Sequence, residues 1–412
     1  MSTSAAERPQ LRLRKGEERR LRAGHLWVFS NEIDTVATPL GGFEPGGLVQ
    51  LVSHRDQPLG TAYLNPATLI AARLLCRDSG EHIDRRWFAA RLRTALTLRE
   101  RLYPTPHYRA VFGESDGLPG LILDRFGDVL VGQIGTLGME RLRGEIEAAI
   151  ETVFSPRVFV WKNDSGARSL EGLPEEVRSV WGEMPDTLEV IERVAGRELA
   201  LVAALREGQK TGWFYDQAFN RSLLPRFLPA GARVLDVCSY VGAWSAAALA
   251  AGASSLSCID SSAAALSFAS ENLQRTATAL ERPVSTPHLL QEDAFDGLAA
   301  LAAAGERFDA VIVDPPAFIK RRKDAPAGQA AYRKLNQLAL RLLEPEGLLV
   351  SCSCSYHLAP EELLAAIQGA ARHVDRHVQL LHVGGQSPDH PVHPAIPETR
   401  YLKSFFCRVT RA

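Results

Sequence analysis

Five short apolar runs in the second half of the chain alternate with helix-length segments, and this alternation restricts the fold more than any other feature. The runs are R-V-L-D-V-C (Arg233–Cys238), L-S-C-I-D (Leu256–Asp260), residues Thr286–Gln291, F-D-A-V-I-V-D (Phe308–Asp314) and G-L-L-V (Gly347–Val350). Short continuous apolar runs between turn residues are what strands buried on both faces of a parallel sheet require. Stretches near Ala243–Ala251, Ala263–Leu273 and Ala330–Leu343 predict the crossover helices, giving an α/β, doubly wound sheet. A further helix over Glu361–Ala371 precedes V-Q-L-L-H-V (Val378–Val383) and Y-L-K-S-F-F-C-R-V (Tyr401–Val409). These two predict a terminal antiparallel hairpin, with a Pro- and His-rich connection long enough to be a functional loop.

At 412 residues the chain exceeds one typical domain. From Leu11 to about Asp78, short runs such as L-W-V-F (Leu26–Phe29), G-L-V-Q-L-V (Gly47–Val52) and G-T-A-Y-L (Gly60–Leu64) alternate with turns and predict a small β-rich domain. Beyond it, Trp87, Leu92, Leu96 and Leu98 fit a helix running towards Leu102 and stopping at Pro104. Strand-like Leu121–Asp124 and Val129–Ile134, a helix across Met139–Thr152 and V-F-V-W (Val158–Trp161) complete a central α+β domain. Leu188–Leu205 reads as a strand pair leading into the next unit. The predicted domains cover residues 9–80, 81–187 and 188–412.

Apolar content of 46% and charged content of 23% are ordinary for a soluble globular protein. No run is long enough to span a bilayer, and the polar N-terminus lacks the apolar stretch of a signal peptide. Six scattered cysteines, with no C-x-x-C, indicate neither a disulfide framework nor a metal site. The expectation is a cytoplasmic, metal-free protein that does not enter membranes. Net charge is −1, yet Arg8, Arg12, Arg14, Lys15, Arg19, Arg20 and Arg22 cluster near the N-terminus. Such a patch, with Lys15, Arg19 and Arg20 at its centre, suits a phosphate-bearing partner; it also suits a merely solvated segment.

The turn after the first run reads D-V-C-S-Y-V-G (Asp236–Gly242) and lacks the G-x-G-x-x-G that admits a dinucleotide pyrophosphate. One glycine and an acid at the strand end suit a nucleoside cofactor without a pyrophosphate. S-adenosylmethionine is such a cofactor, because its sulfonium and ammonium groups favour nearby carboxylates. On this reading Asp236, Ser239, Tyr240 and Gly242 form the cofactor loop. Asp260, ending the second run, can accept hydrogen bonds from both ribose hydroxyls, and Asp293 can accept one from the adenine amino group. Each acid alone reads equally well as a helix cap or turn residue. Acids at the ends of successive strands, however, line one rim.

Asp314-Pro315-Pro316-Ala317-Phe318 follows the fourth run and places a carboxylate beside two residues that fix φ and remove backbone donors. This corner can present Phe318 as a stacking platform for an extruded base. Alone it would serve N-methylation of a base as well. The fifth run leads into Ser351-Cys352-Ser353-Cys354-Ser355. A thiolate there can add to carbon 6 of a pyrimidine and make carbon 5 nucleophilic. Cys352 and Cys354 stand two residues apart, and only one of them is expected to face the site.

Taken in order, these motifs resemble a family: bacterial S-adenosylmethionine-dependent methyltransferases of the large-subunit methyltransferase I type, which make 5-methylcytosine in 23S ribosomal RNA. The resemblance covers essentially the whole chain. It includes K-G-E-E-R-R-L-R-A-G-H-L-W-V-F-S-N-E-I (Lys15–Ile33), E-S-D-G-L-P-G-L-I-L-D-R (Glu114–Arg125), G-Q-K-T-G-W-F-Y-D-Q (Gly208–Gln217), D-V-C-S-Y-V-G, V-D-P-P-A-F and the tail D-H-P-V…Y-L-K-S-F-F-C-R-V. It implies an N-terminal PUA domain for RNA binding, a central domain that helps form the RNA cleft, and a C-terminal Rossmann-like class I methyltransferase domain. The implied cofactor residues are Phe214, Asp216, Asp236, Gly242, Asp260, Asp293 and Asp314. Aligning G-L-L-V-S-C-S-C-S on the family's S-C-S places the nucleophile at Cys354, with Asp314 a candidate for orienting the cytosine. Pro315, Pro316 and Phe318 would meet the base. Two-cysteine RNA enzymes of this chemistry carry a second cysteine beside the first proline of D-P-P; this chain has Pro316-Ala317 there. The implied partner is 23S rRNA or a ribosomal assembly particle, and a homodimer is compatible with the resemblance. Two other functions compete: N-methylation of an rRNA guanine through D-P-P-A-F, and a catalytically silent RNA-binding or ribosome-assembly factor.

Overall fold

In the computed structural model, residues 8–208, 210–282 and 286–412 are described; Gln209 and the first seven residues of the polar N-terminus lie outside them. The apolar runs of the C-terminal half form a seven-stranded sheet. Its strands are β1 (Arg233–Val237), β2 (Ser255–Asp260), β3 (His288–Gln291), β4 (Phe308–Val313), β5 (Leu343–Ser353), β6 (Arg376–Gly384) and β7 (Lys403–Arg411). Their spatial order is β3-β2-β1-β4-β5-β7-β6. The first five are parallel, and β7 runs antiparallel to both its neighbours. Helices α1 (Ala243–Ala250), α2 (Ala263–Ala279), α3 (Ala294–Ala303), α4 (Ala325–Leu342) and α5 (Pro360–His373) make the connections. Helix α4 starts five residues earlier than its apolar pattern suggests. Pro326 sits in its first turn, where a missing N–H costs nothing.

The terminal hairpin forms, but β7 inserts between β5 and β6. Burial explains the placement: β7 is buried along most of its length, whereas β6 exposes Leu380, Leu381 and Val383 at the sheet edge. The core of this layer joins Leu235, Val237, Val311 and Leu349 of the sheet to Leu335, Leu340, Leu363 and Ile367 of the helices. An antiparallel pair, Thr187–Val194 with Arg197–Ala204, belongs to the same compact unit. Asn272 of α2 holds it by bonding both the N–H and the carbonyl of Val202.

The other compact unit contains the described residues up to Asp186 together with Leu205–Trp213 and Asp389–Thr399. Its first sheet has the order Gln10–Arg12, Leu48–Val52, Pro58–Leu64, Ile70–Cys76, Trp27–Phe29. Leu11, Val28, Val49, Leu51, Ala62 and Leu74 fill its core. The second sheet runs Glu176–Trp181, Val158–Asn163, Val129–Ile134, Leu121–Phe126, His107–Phe112, with helices Arg85–Leu102 and Arg143–Phe154 packed on it. Tyr63 of the first sheet reaches the second layer, where its hydroxyl donates to the Pro119 carbonyl; a Cβ on Gly138 would lie 2.1 Å from its ring.

The Pro- and His-rich connection between β6 and β7 is partly buried here rather than free. Arg99 forks onto Asp116 and donates to the Asp389 carbonyl, while the Asp389 carboxylate accepts from the Arg109 N–H. Arg109 in turn forks onto Asp124, which also accepts from Thr211. This buried network ties both distant segments to the α+β sheet.

Candidate active site

The strand order of the seven-stranded sheet reverses between β1 and β4, so a crevice opens at their carboxyl ends. Val237 of β1 stands in register with Ile259 of β2 and Val313 of β4, and Val313 stands beside Ser351 of β5. The residues that follow therefore share one rim. Cys238 and Tyr240 adopt left-handed backbone, with φ of 61° and 48°, which coils the β1 turn tightly. Gly242 has φ of 76°, and a Cβ there would lie 2.9 Å from that of Ala269, so only glycine lets α1 start this close to α2.

Asp260 secures the turn by accepting from the Tyr240 N–H at 2.8 Å and the Ser262 N–H at 2.9 Å. The Ser239 N–H donates to the Ile259 carbonyl. One oxygen of the buried Asp236 accepts from the Ser245 N–H and hydroxyl; its other oxygen has no hydrogen-bond partner among the described residues. Burial pushes the Asp236 carboxyl up to about 7, and the Asp314 and Asp260 charges add to the rise. The Phe214 ring meets the Tyr240 ring edge-on at 5.4 Å. An uncompensated acid, neighbouring carboxylates and a glycine-closed turn fit a cationic nucleoside.

The raised carboxyl makes a pH prediction. Folded Asp236 keeps its proton to about pH 7, whereas the unfolded side chain loses it near 3.8. The folded state thus binds more protons between these values, and its stability falls as pH rises through them. Asp236→Asn should flatten that fall in thermal melts of cofactor-free protein.

Asp293 is exposed and caps α3, accepting from the Phe295 N–H. Asp314 is held from two sides: Gln217 donates to both its oxygens at 3.0 Å and the Trp244 indole donates to one at 3.0 Å. Burial raises its carboxyl to about 6. Asp216 accepts from the Tyr401 hydroxyl, and its carbonyl accepts from Ser387. Arg221 forms a buried fork on Glu192 and donates to the Phe214 carbonyl.

At the next rim position the two cysteines separate. Cys352 is fully buried on β5 against the Ser404 hydroxyl, and burial drives its thiol far up. Cys354 is half-buried past the end of β5, its Sγ 4.0 Å from the Pro315 carbonyl. Ser355 ties the Cys354 turn to the Pro-Pro corner, because its hydroxyl accepts from the Ile319 N–H and bonds the Tyr332 hydroxyl. Pro315 is buried and Pro316 exposed. The half-buried Phe318 ring rests on Tyr332 and Phe295, so much of its surface is already covered.

A family described as S-adenosylmethionine-dependent methyltransferase matches residues 175–405, and one described as PUA-like domain matches residues 11–77. The chain is 34% identical to ribosomal RNA large subunit methyltransferase I of Salmonella arizonae and of Salmonella newport, over 97% of this chain and 98% of theirs. The chain belongs to this methyltransferase family. Its fold is that of a methyltransferase solved with SAH (TM-score 0.80) and of an S-adenosylmethionine-dependent methyltransferase from Streptococcus mutans (TM-score 0.79), each 22% identical over 97% of this chain and 100% of theirs. A PUA-like domain thus precedes a Rossmann-like methyltransferase domain, and S-adenosylmethionine is the cofactor.

The methyltransferase gathers Phe214, Asp236, Ser239, Tyr240, Gly242 and Asp260 around the β1 and β2 ends, and Asp314, Pro315 and Cys354 around those of β4 and β5. The N-terminal basic stretch divides. Arg20 is spent on Glu32, the Trp27 carbonyl and the Phe29 ring. Lys15 and Arg19 are exposed and make no side-chain hydrogen bond or ion pair among the described residues. Sequence reasoning did not single out Gln217, Trp244 or Lys403, because nothing local marks them as partners of the rim. It also passed over Lys320-Arg321-Arg322-Lys323, which directly follows the Pro-Pro corner and was visible as four consecutive cations. All four are exposed, and among the described residues only Arg321 is paired, with Asp324.

Proposed function

We propose that this methyltransferase modifies carbon 5 of a cytosine in large-subunit ribosomal RNA, free or within an assembling particle, with Cys354 as nucleophile. The relatives' name supports the RNA class. The observation that carries the atom is the placement of Cys354, a half-buried thiol beside the Asp314-Pro315-Pro316 corner, while Cys352 is sealed in the core. In the proposed reaction the Cys354 thiolate forms a bond to carbon 6, and the displaced π pair makes carbon 5 nucleophilic. When bound, the cofactor would supply an electrophilic methyl group, carbon 5 gaining the C–CH3 bond as the sulfonium S–CH3 bond breaks to give a neutral thioether. A base then removes the proton from carbon 5, the double bond re-forms and the thiolate departs. Asp314, fixed by Gln217 and Trp244 and partly protonated near neutral pH, orients the cytosine edge.

Nucleoside mass spectrometry of 23S rRNA from cells with and without the protein tests the assignment. Loss of one 5-methylcytidine is expected; loss of a methylguanosine would move the chemistry to N-methylation. If neither is lost and calorimetry finds no S-adenosylmethionine binding, the silent-factor reading holds.

The unpaired cations after the corner fit the phosphates flanking the target base. Alanines at Lys320, Arg322 and Lys323 should weaken RNA binding and lower the slope of log affinity against log salt by about 0.7 for each phosphate that is no longer neutralised. S-adenosylmethionine affinity should not change. A salt titration of RNA binding to wild type and to the variant measures both slopes.

A further inference from the structure

Lys403 is a buried cation that takes no part in the proposed reaction. We infer that it is a positioning residue for Cys354, its ammonium supplying the counter-charge that keeps the thiol in its reactive, ionised form. This rests on the nucleophile reading of Cys354.

Lys403 opens β7 and pairs in register with Ser353 of β5. It is 6% exposed. Its Nζ donates to the Ser355 carbonyl at 2.5 Å and to the Tyr401 carbonyl at 2.8 Å. It therefore meets the chain on one side of Cys354 by register and on the other by a hydrogen bond. An ammonium has three donors, so one remains beyond these two carbonyls. Among the described residues no carboxylate lies within ion-pair range of it. A cation buried without an anion is costly, and such a site is completed when an anion forms beside it. Burial lowers the Lys403 ammonium to about 8, and the charge of Cys354 is the largest influence pulling it back up.

The surrounding charges leave this pairing in place. Glu362 of α5 also favours the ammonium, but it is exposed and its oxygens accept from Gln329 and the Ala359 N–H. Arg400 opposes it weakly and is exposed. Asp314 is bound to Gln217 and Trp244, and the Tyr332 hydroxyl of α4 bonds Ser353 and Ser355. Burial raises both the Tyr332 hydroxyl and the Cys352 thiol, so neither adds a charge near neutral pH.

The test is the pH dependence of Cys354 alkylation by iodoacetamide, followed by mass spectrometry of the Cys354 peptide in full-length protein. In wild type the thiol should titrate below the ordinary cysteine value of about 8.5. Lys403→Met should move the midpoint up by at least about one unit, cutting the thiolate present at pH 7 roughly tenfold. Lys403→Arg should restore most of it. A folded Lys403→Met protein with an unmoved midpoint overturns the inference. So does a wild-type midpoint at or above 8.5, whether or not the variant folds. Failure of the nucleophile reading is distinct: it appears as methyl transfer surviving Cys354→Ala.

Discussion

Cys354→Ala should lower kcat for RNA methylation by at least about 10³-fold while S-adenosylmethionine affinity stays within roughly threefold of wild type. Removing the sulfur removes the only proposed route for activating carbon 5, so the loss falls on the chemical step. The cofactor crevice is untouched, because its turn is built by Asp236 and Asp260 on neighbouring strands and by Gly242 at the start of α1. Cys352→Ala provides the contrast. That thiol is sealed against Ser404 in the core, so its loss should cost about 1 kcal/mol of stability and change the rate less than threefold. Single-turnover kinetics with a labelled methyl donor measure the rates. Full activity in Cys354→Ala would refute carbon-5 chemistry through this thiol and leave the Asp314-Pro315-Pro316 corner to act on an exocyclic amine.

Arg221→Ala should destabilise the methyltransferase by about 3–5 kcal/mol, because it takes the Arg221 guanidinium away from the buried Glu192 carboxylate. The same substitution removes the shorter of two donors to the Phe214 carbonyl, the other being the Gln217 N–H at 3.4 Å, and so loosens the segment that sets the Phe214 ring against Tyr240. Weaker S-adenosylmethionine binding should therefore accompany the stability loss. Urea denaturation and calorimetry report the two effects separately. The double variant Arg221→Met, Glu192→Leu should recover most of the stability, since a buried ion pair replaced by apolar groups of similar volume loses little. It should not recover the affinity, because the Phe214 carbonyl still lacks the Arg221 guanidinium. A stability loss below about 1 kcal/mol in the single variant would show that the pair is hydrated and contributes little.

Much of the architecture was legible in the pattern of residues. Continuous apolar runs signalled strands buried on both faces, and the acids and Pro-Pro corner at their ends marked the rim. Strand alternation does not separate Cys352 from Cys354, because residues two apart share a face; they part because β5 ends at Ser353 and Cys354 lies in the turn beyond it. Strand order was less accessible. The two terminal runs predict a hairpin, but nothing within either says that β7 docks on β5 while β6 takes the edge. That choice follows from which strand has two faces to bury once β5 is in place. The basic N-terminal stretch shows the same limit. Its charges read as one patch, yet Arg20 turns inward to Glu32 and Phe29 while Lys15 and Arg19 remain exposed.

The order and spacing of residues determined the class of fold and the rim at its strand ends, and the motifs, by their resemblance, pointed to the family. Those are properties of short segments, where periodicity reports burial and turn residues report strand ends. Only the tertiary structure decided which distant groups meet. Gln217 reaches Asp314 across 97 positions, Lys403 reaches the Cys354 turn from a strand 48 positions beyond Ser355, and Arg99 reaches Asp389 across 290. Such partnerships are set by strand pairing and layer packing, and no local pattern carries them because neither partner needs the other until the sheet has assembled.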